Sequence, residues 1–314
     1  MTPAARLTAA ASVLDSIAQG RSPAEVVLKA WGQANRYAGS GDRRAVAERV
    51  YDVLRSRARM VWTMGGREDG RALVIGSLSV LDGLSLEEIE ALHSGDGYGP
   101  RPLSKQERAR LMAVPGEMPE GVAAGVPEFV VEDFKTTFGD RWFEEAHALT
   151  ERAPVDLRVN GATTTVDAVM AELRDAGLQP VRTPWSSWGL RLTADPAPNV
   201  PALEAFQSGR VEIQDEGSQL VCWLAGAAAG KTVVDYCAGG GGKTVGLAQA
   251  MAGQGTLIGC DVVQKRLDNI RPRLARAGVE ADLRLLGQNG GGVEDLNGKA
   301  DLVFVDAPCS GTGA

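Results

Sequence analysis

Apolar positions recur at helical spacing through the first hundred residues and contract into short apolar runs between amphipathic stretches over the last hundred. Near the N-terminus the helical segments begin at polar caps. Ser22-Pro23-Ala24-Glu25 predicts a capping box with proline at the first helical position, Asp42 predicts a cap, and Ser85-x-x-Glu88 predicts a second box. No alternating strand pattern competes, so residues 1–93 are predicted to be an all-α domain. Residues 94–126 read as a linker, because "SGDGYGPRP" and "VPGEMPEGVAAGVP" are rich in glycine and proline around one short helix opened by Ser104-x-x-Glu107.

Residues 127–208 mix periods. A helix is predicted through "EFVVEDFKTTFG", a strand over "DLRVN", a helix over "TTVDAVMAELRDAG" stopped by Gly177, then strands at "LQPVRT" and "GLRLT". This is a small α+β domain. From residue 209 to 314 short apolar strands ("KTVVDY", "GTLIGCD", "ADLRLLG", "ADLVFVDAP") alternate with helices, which predicts the parallel sheet of an α/β Rossmann-type domain. In "QKRLDNIRPRLARAG" Leu267, Ile270, Leu274 and Ala277 share one face, Gly278 is the stop, and Pro272 is expected to kink the helix.

Composition excludes several classes. No apolar run approaches the roughly 18 residues of a membrane span, and the N-terminal stretch carries Asp15 within its apolar pattern, so a cytoplasmic monomer without membrane contact is expected. The cysteines, Cys222, Cys237, Cys260 and Cys309, form no Cys-x-x-Cys pair and lie far from His93 and His147, so no metal site is expected. Net charge is −7 but uneven: residues 1–125 carry +1 and the remainder −8. Within the first part Arg43, Arg44, Arg49, Arg55, Arg57 and Arg59 crowd one segment, either as a solvated helix face or as a surface for RNA phosphates, with Arg43, Arg44 and Arg49 as the candidate contacts.

The chemistry centres on "DYCAGGGGKT", Asp235 to Thr244. A P-loop would need glycine where Cys237 stands, although Lys243 and the later Asp306 supply the lysine and acid of a P-loop NTPase. A nucleoside site instead needs glycines in the first strand–helix turn and an acid about 20 residues on for the ribose. Asp261 ends "GTLIGCD", 19 residues beyond Gly242. The P-loop reading leaves Asp261 without a role, so adenosine without a pyrophosphate is the favoured ligand class, and S-adenosylmethionine fits it.

These residues, with "LVFVDAPCSGTG", resemble the Sun/Nop (RsmB-like) RNA cytosine carbon-5 methyltransferases. The family's first motif, Asp-x-Cys-Ala-Ala-Pro-Gly-Gly-Lys-Thr, is matched at Asp235, Cys237, Ala238, Gly241, Gly242, Lys243 and Thr244, with Gly239 and Gly240 in place of Ala and Pro. Its fourth, Asp-Ala-Pro-Cys-Ser-Gly-Thr-Gly, is complete from Asp306 to Gly313. "ERAPVDLRVN" and "VEIQDEGSQLV" also look like family sequence. The resemblance implies a NusB-like helical domain at the front, an RNA-binding-like small domain, and methyl transfer from S-adenosylmethionine to cytosine carbon-5, with ribosomal RNA the expected partner. It implies that Cys237, Ala238, Gly239, Gly240, Gly241, Gly242 and Lys243 bind the methionine end of the cofactor, that Asp261 binds the ribose, and that Asp306 lies between cofactor and base. Gln288 stands where the family usually has an acid near the adenine.

In that chemistry a thiolate adds to carbon-6 of the base and is later eliminated. The family uses two cysteines: Cys309 matches the one tied to product release, and the nucleophile belongs to a later Thr-Cys-Ser motif that does not occur up to Ala314. The resemblance therefore predicts a C-terminally incomplete methyltransferase domain, from a truncated or degenerate relative, and no turnover by these residues alone. A non-catalytic RNA-binding fragment is the alternative, with a P-loop NTPase behind it.

Overall fold

The computed structural model describes residues 1–20, 22–113, 116–193 and 198–308, which form two compact units that divide between Arg152 and Ala153. The first unit is helical. Its helices are α1 (Pro3–Gln19), α2 (Ala24–Ala34), α3 (Ser40–Arg55), α4 (Arg57–Thr63), α5 (Gly70–Val80), α6 (Leu86–Leu92), α7 (Lys105–Met112), α8 (Glu120–Ala124), α9 (Val131–Phe138) and α10 (Trp142–Ala148). Helix α5 is apolar on nearly every side and therefore lies at the centre, with Ala72 to Leu78 buried against Ala10, Val13 and Leu14 of α1 and Val46, Val50 and Val53 of α3. Gly70 permits that closeness: a Cβ there would lie 2.1 Å from the carbonyl oxygen of Ala11.

The caps explain where these helices start. Both boxes at Ser85/Glu88 and Ser104/Glu107 form reciprocally, side chain to amide in each direction. The other two starts differ from expectation. Pro23, held extended at ψ 149°, is itself the N-cap of α2, so Ser22 makes no cap. Asp42 is the third residue of α3 rather than its cap, and its carboxylate accepts from the Gly39 amide at 3.3 Å and from Arg6.

The segment after 127, expected in the small α+β domain, packs with helices before it. Helices α9 and α10 pack with α8 through Ala124, Val126, Val131 and Ala146, so this segment clusters with the helical unit, and residues 94–126 contain α7 and α8. Apolar faces separated by glycine and proline look like a linker in sequence although they bury one another.

The second unit holds two sheets. The smaller comprises β1 (Val155–Val159), β2 (Pro180–Arg182), β3 (Gly189–Leu192) and β4 (Val211–Ile213) in the order β2-β3-β1-β4, all antiparallel, and is covered by α11 (Val166–Asp175) through Val169 and Leu173. Strand β4, expected in the Rossmann-type part, completes this sheet. Strand β1 is buried on both faces: Leu157 and Val159 join the apolar core, while Asp156 and Arg158 point into a polar layer. There Asp156 takes both Nε and Nη2 of Arg191 at 2.7 and 2.8 Å, and Arg158 donates to Gln214 at 2.6 Å and Gln249 at 2.7 Å.

After α12 (Glu204–Gln207) and α13 (Glu216–Leu224) comes the parallel sheet: β5 (Lys231–Asp235), β6 (Gly255–Asp261), β7 (Asp282–Leu285) and β8 (Leu302–Phe304) in the order β7-β6-β5-β8. Helix α14 (Gly242–Ala250) links β5 to β6, and α15 (Gln264–Ala277) links β6 to β7, running unbroken through Pro272 to Gly278 in the left-handed region at φ 66°. The chain moves outward from β5 to β7, then returns to β5's other side as β8. That reversal opens a crevice at the strands' carboxyl ends. No described helix is long and apolar enough to cross a membrane.

The Ser104 box carries a buried charge. Glu107 is 1% exposed; burial pushes its carboxyl up, but the fork of Arg71 at 2.8 and 3.1 Å and the Ser104 amide at 2.8 Å outweigh it and hold it down at about 2. A depressed pKa stabilises the fold above the ordinary carboxylate value of 4.5 and loses that contribution as pH falls toward 2. Glu107→Gln should lower stability at pH 7 by about 2–4 kcal/mol and flatten the stability profile between pH 4.5 and 2, read by urea unfolding across that range.

Candidate active site

Each strand of the parallel sheet delivers a polar group to the crevice. The turn after β5 supplies Tyr236, Cys237, Ala238, Gly239 and Gly240; the end of β6 supplies Asp261; the segment after β7 supplies Leu286, Gln288 and Gly290; and the segment after β8 supplies Asp306. Together with Gly242, Lys243, Arg266, Arg273 and residues 213–215, they enclose a cavity of about 820 Å³. Small-molecule sites fall within roughly 300–1,000 Å³.

Asp261 is 4% exposed and bridges two backbone segments, taking the Gly239 amide at 3.1 Å and the Val263 amide at 2.8 Å. Each carboxylate oxygen keeps a lone pair for hydroxyl donors. The turn itself follows from glycine: Gly239 and Gly241 lie at φ 53° and 80°, and a Cβ on Gly241 would meet Ile270 Cγ2 at 2.8 Å. Helix α14 starts immediately after, so its first-turn amides, which have no partner within the helix, face the site beside Lys243. Lys243 Nζ lies 2.7 Å from Asp306 Oδ2, joining the helix to the end of β8.

Beneath the turn, burial pushes Asp235 up to about 6 despite the Thr244 hydroxyl it accepts at 2.6 Å, and its Oδ1 is buried without a hydrogen-bond partner. Burial raises the Cys222 and Cys260 thiols to about 11; burial and then the carboxylates of Asp235, Asp261 and Asp306 raise Cys237. None of the described thiols is an activated nucleophile.

The structure thus gathers Cys237, Ala238, Gly239, Gly240, Gly242, Lys243, Asp261, Gln288 and Asp306 at one cavity, with Gly241 packed beneath it. Cys309 lies outside the described residues. The arginine candidates belong to the helical unit and divide: Arg43 and Arg44 are exposed, whereas Arg49 is held by Asp82 at 2.7 Å and Ser77 at 3.2 Å. Sequence reasoning missed Tyr236, Arg266, Arg273 and Gln214. The two arginines sit on α15, where their seven-residue spacing was a signal of a shared face.

Family models match two stretches of the chain. Residues 222–314 match the model described as 16S rRNA methyltransferase RsmB/F, and residues 126–197 match the ferredoxin-like domain of the same proteins, together just over half of the chain. The chain belongs to the RsmB-like (Sun/Nop) methyltransferase family. Among RsmB-like relatives, ribosomal RNA small subunit methyltransferase B of Klebsiella pneumoniae is 32% identical over 190 residues, 60% of this chain and 43% of that protein. The chain spans less than half the length of the curated relatives it matches. A solved methyltransferase homologue from Pyrococcus horikoshii is 29% identical with a TM-score of 0.54, covering 61% of this chain and 62% of that one. The solved protein PH0851 shares the fold across 98% of this chain and 75% of its own, with a TM-score of 0.74 at 19% identity. The RsmB-like signature and the cavity coincide in the turn after β5.

That turn yields a direct test. Gly241→Ala combines a left-handed backbone with a 2.8 Å contact, so it should destabilise the protein by about 1–3 kcal/mol. Adding Ile270→Ala should remove the steric part of this loss relative to Ile270→Ala alone, in a urea double-mutant cycle.

Proposed function

We propose that this chain binds S-adenosylmethionine at the carboxyl ends of β5, β6 and β7 and serves methyl transfer to carbon-5 of a cytosine in ribosomal RNA. The observation that carries the reading is Asp261. Its carboxylate is locked against the glycine turn by Gly239 and Val263 while it lines the cavity, which suits a ribose diol next to a backbone-lined pocket. The residues fit the cofactor: the turn from Cys237 to Lys243 accepts its methionine end, Asp261 the ribose, and Gln288 an edge of the adenine through its amide. The cofactor supplies an electrophilic methyl group.

Asp306, paired with Lys243 on the cavity wall, is the group assigned to support the charge that develops at cytosine N3. Chemistry at carbon-5 requires a thiolate to add to carbon-6, giving an enamine that takes the methyl group; a base then removes the carbon-5 proton and the thiolate departs. The raised thiols of Cys222, Cys237 and Cys260 do not suit that role; the family resemblance assigns release to Cys309 and attack to a cysteine of a Thr-Cys-Ser motif. The target base must leave its stack to enter the cavity, so an exposed RNA position is the substrate. Arg43 and Arg44, exposed and without ion pairs among the described residues, serve as phosphate contacts in the helical unit.

Calorimetry with S-adenosylhomocysteine checks the cofactor. Saturable binding is expected, weakened at least tenfold by Asp261→Ala; ATP binding lost in Lys243→Ala, with none of the homocysteine ligand, would return the site to the P-loop class. In a form that carries the Thr-Cys-Ser segment, Cys309→Ala should accumulate a covalent protein–RNA adduct on denaturing gels, and absence of adduct with full turnover would remove Cys309 from product release. Arg43→Ala with Arg44→Ala should reduce the slope of log affinity for RNA against log salt by about 0.7–0.9 per lost phosphate contact, whereas an unchanged slope would make this face merely solvated.

A further inference from the structure

Four consecutive glycines, Gly239 to Gly242, are intrinsically permissive backbone, yet the proposed cofactor needs them in one shape. Asp261 fixes the first glycine. What fixes the next? Helix α15 reaches the turn at two points three residues apart on one face: Ile270 packs under Gly241, and Arg273 donates from Nη1 to the carbonyl oxygen of Gly240. The same guanidinium lies 3.4 Å through Nε from Glu212 Oε2, a carboxylate 6% exposed on β4. Arg276 donates to the same Glu212 Oε2 at 2.6 Å and stacks over the Phe206 ring at 4.1 Å.

We propose that Arg273 is a positioning residue, clamping the tetraglycine turn in its ligand-receiving shape by tying Gly240 to Glu212 of the small sheet. Only an arginine spans both: its fork serves a carbonyl and a carboxylate at once, whereas one ammonium serves a single point with comparable geometry. Gly240 itself is outside the left-handed region, and a Cβ there would lie 3.4 Å from Arg273 Nη1, so this is a position where an alanine can replace lost constraint. The proposal rests on the cofactor reading above for its affinity consequence, but not for its effect on the turn.

The test measures S-adenosylhomocysteine affinity together with hydrogen exchange of the peptide spanning residues 238–243, in wild type, Arg273→Ala, Arg273→Lys and Arg273→Ala/Gly240→Ala. Affinity should fall about tenfold in Arg273→Ala, the scale of one charge-assisted hydrogen bond, with faster exchange in the turn. Lysine should be intermediate, and Gly240→Ala should recover part of both losses. Unchanged affinity and exchange in Arg273→Ala overturn the clamp while leaving the cofactor reading intact. Weaker affinity with unchanged exchange and no rescue makes Arg273 a direct ligand contact and also overturns it. If wild type does not bind the homocysteine ligand, the cofactor reading fails, and exchange alone decides the clamp. If Arg273→Ala does not fold, Arg273→Lys carries the same comparison.

Discussion

The carboxylate of Asp261 organises the site end of the parallel sheet. It ends β6 and accepts one amide from the turn after β5 and one from the start of the segment leading to α15, so two strand–helix junctions share a single anion. The Ala238 amide reinforces this by donating to the Cys260 carbonyl at 2.8 Å. With those junctions fixed, α14 begins where its amides face the crevice and Lys243 reaches Asp306. A carboxylate that organises backbone while keeping lone pairs toward a cavity joins structure and recognition in one group.

The second organising feature is the polar face of β1. Alternation along a strand puts Asp156 and Arg158 opposite Leu157 and Val159, and in a sheet open on one side the charged pair would meet water. Here both are buried. Asp156 is neutralised by Arg191 and receives the Glu216 amide at 3.1 Å, while Arg158, pushed down to about 10 by burial, has as acceptors among the described residues the oxygens of Gln214 and Gln249. Buried charge is costly unless paired, so such a layer selects one docking geometry more than it adds stability. It ties the small sheet to α14, the helix that follows the glycine turn.

Much of this was legible in sequence, and the failures are physical. Short apolar strands between amphipathic helices gave the parallel sheet, and Asp235, Asp261 and Asp306 were found because acids at strand ends are placed by the strands themselves. Gln288, which stands where the resemblance has an acid near the adenine, lies on the cavity wall. Contacts depart from the local pattern where long-range packing acts: β4 joins the sheet of β1, and α9 and α10 cluster with α8. Arg266 and Arg273 escaped notice because a charged helix position looks the same whether it meets solvent or a ligand pocket. The pairing of Arg49, a candidate contact in the sequence, was not legible because its partner Asp82 lies 33 residues away.

The raised thiols have a consequence for reagents. Electrophiles such as maleimides react with thiolate, whose population at neutral pH is negligible for Cys222 and Cys260, both buried and shifted to about 11, and reduced for Cys237 among its three carboxylates. Cys222 and Cys260 are thus chemically quiet by placement. An accessible thiolate brought to the mouth of this cavity would meet no competition from these two, so a cysteine-directed probe there needs neither of them substituted.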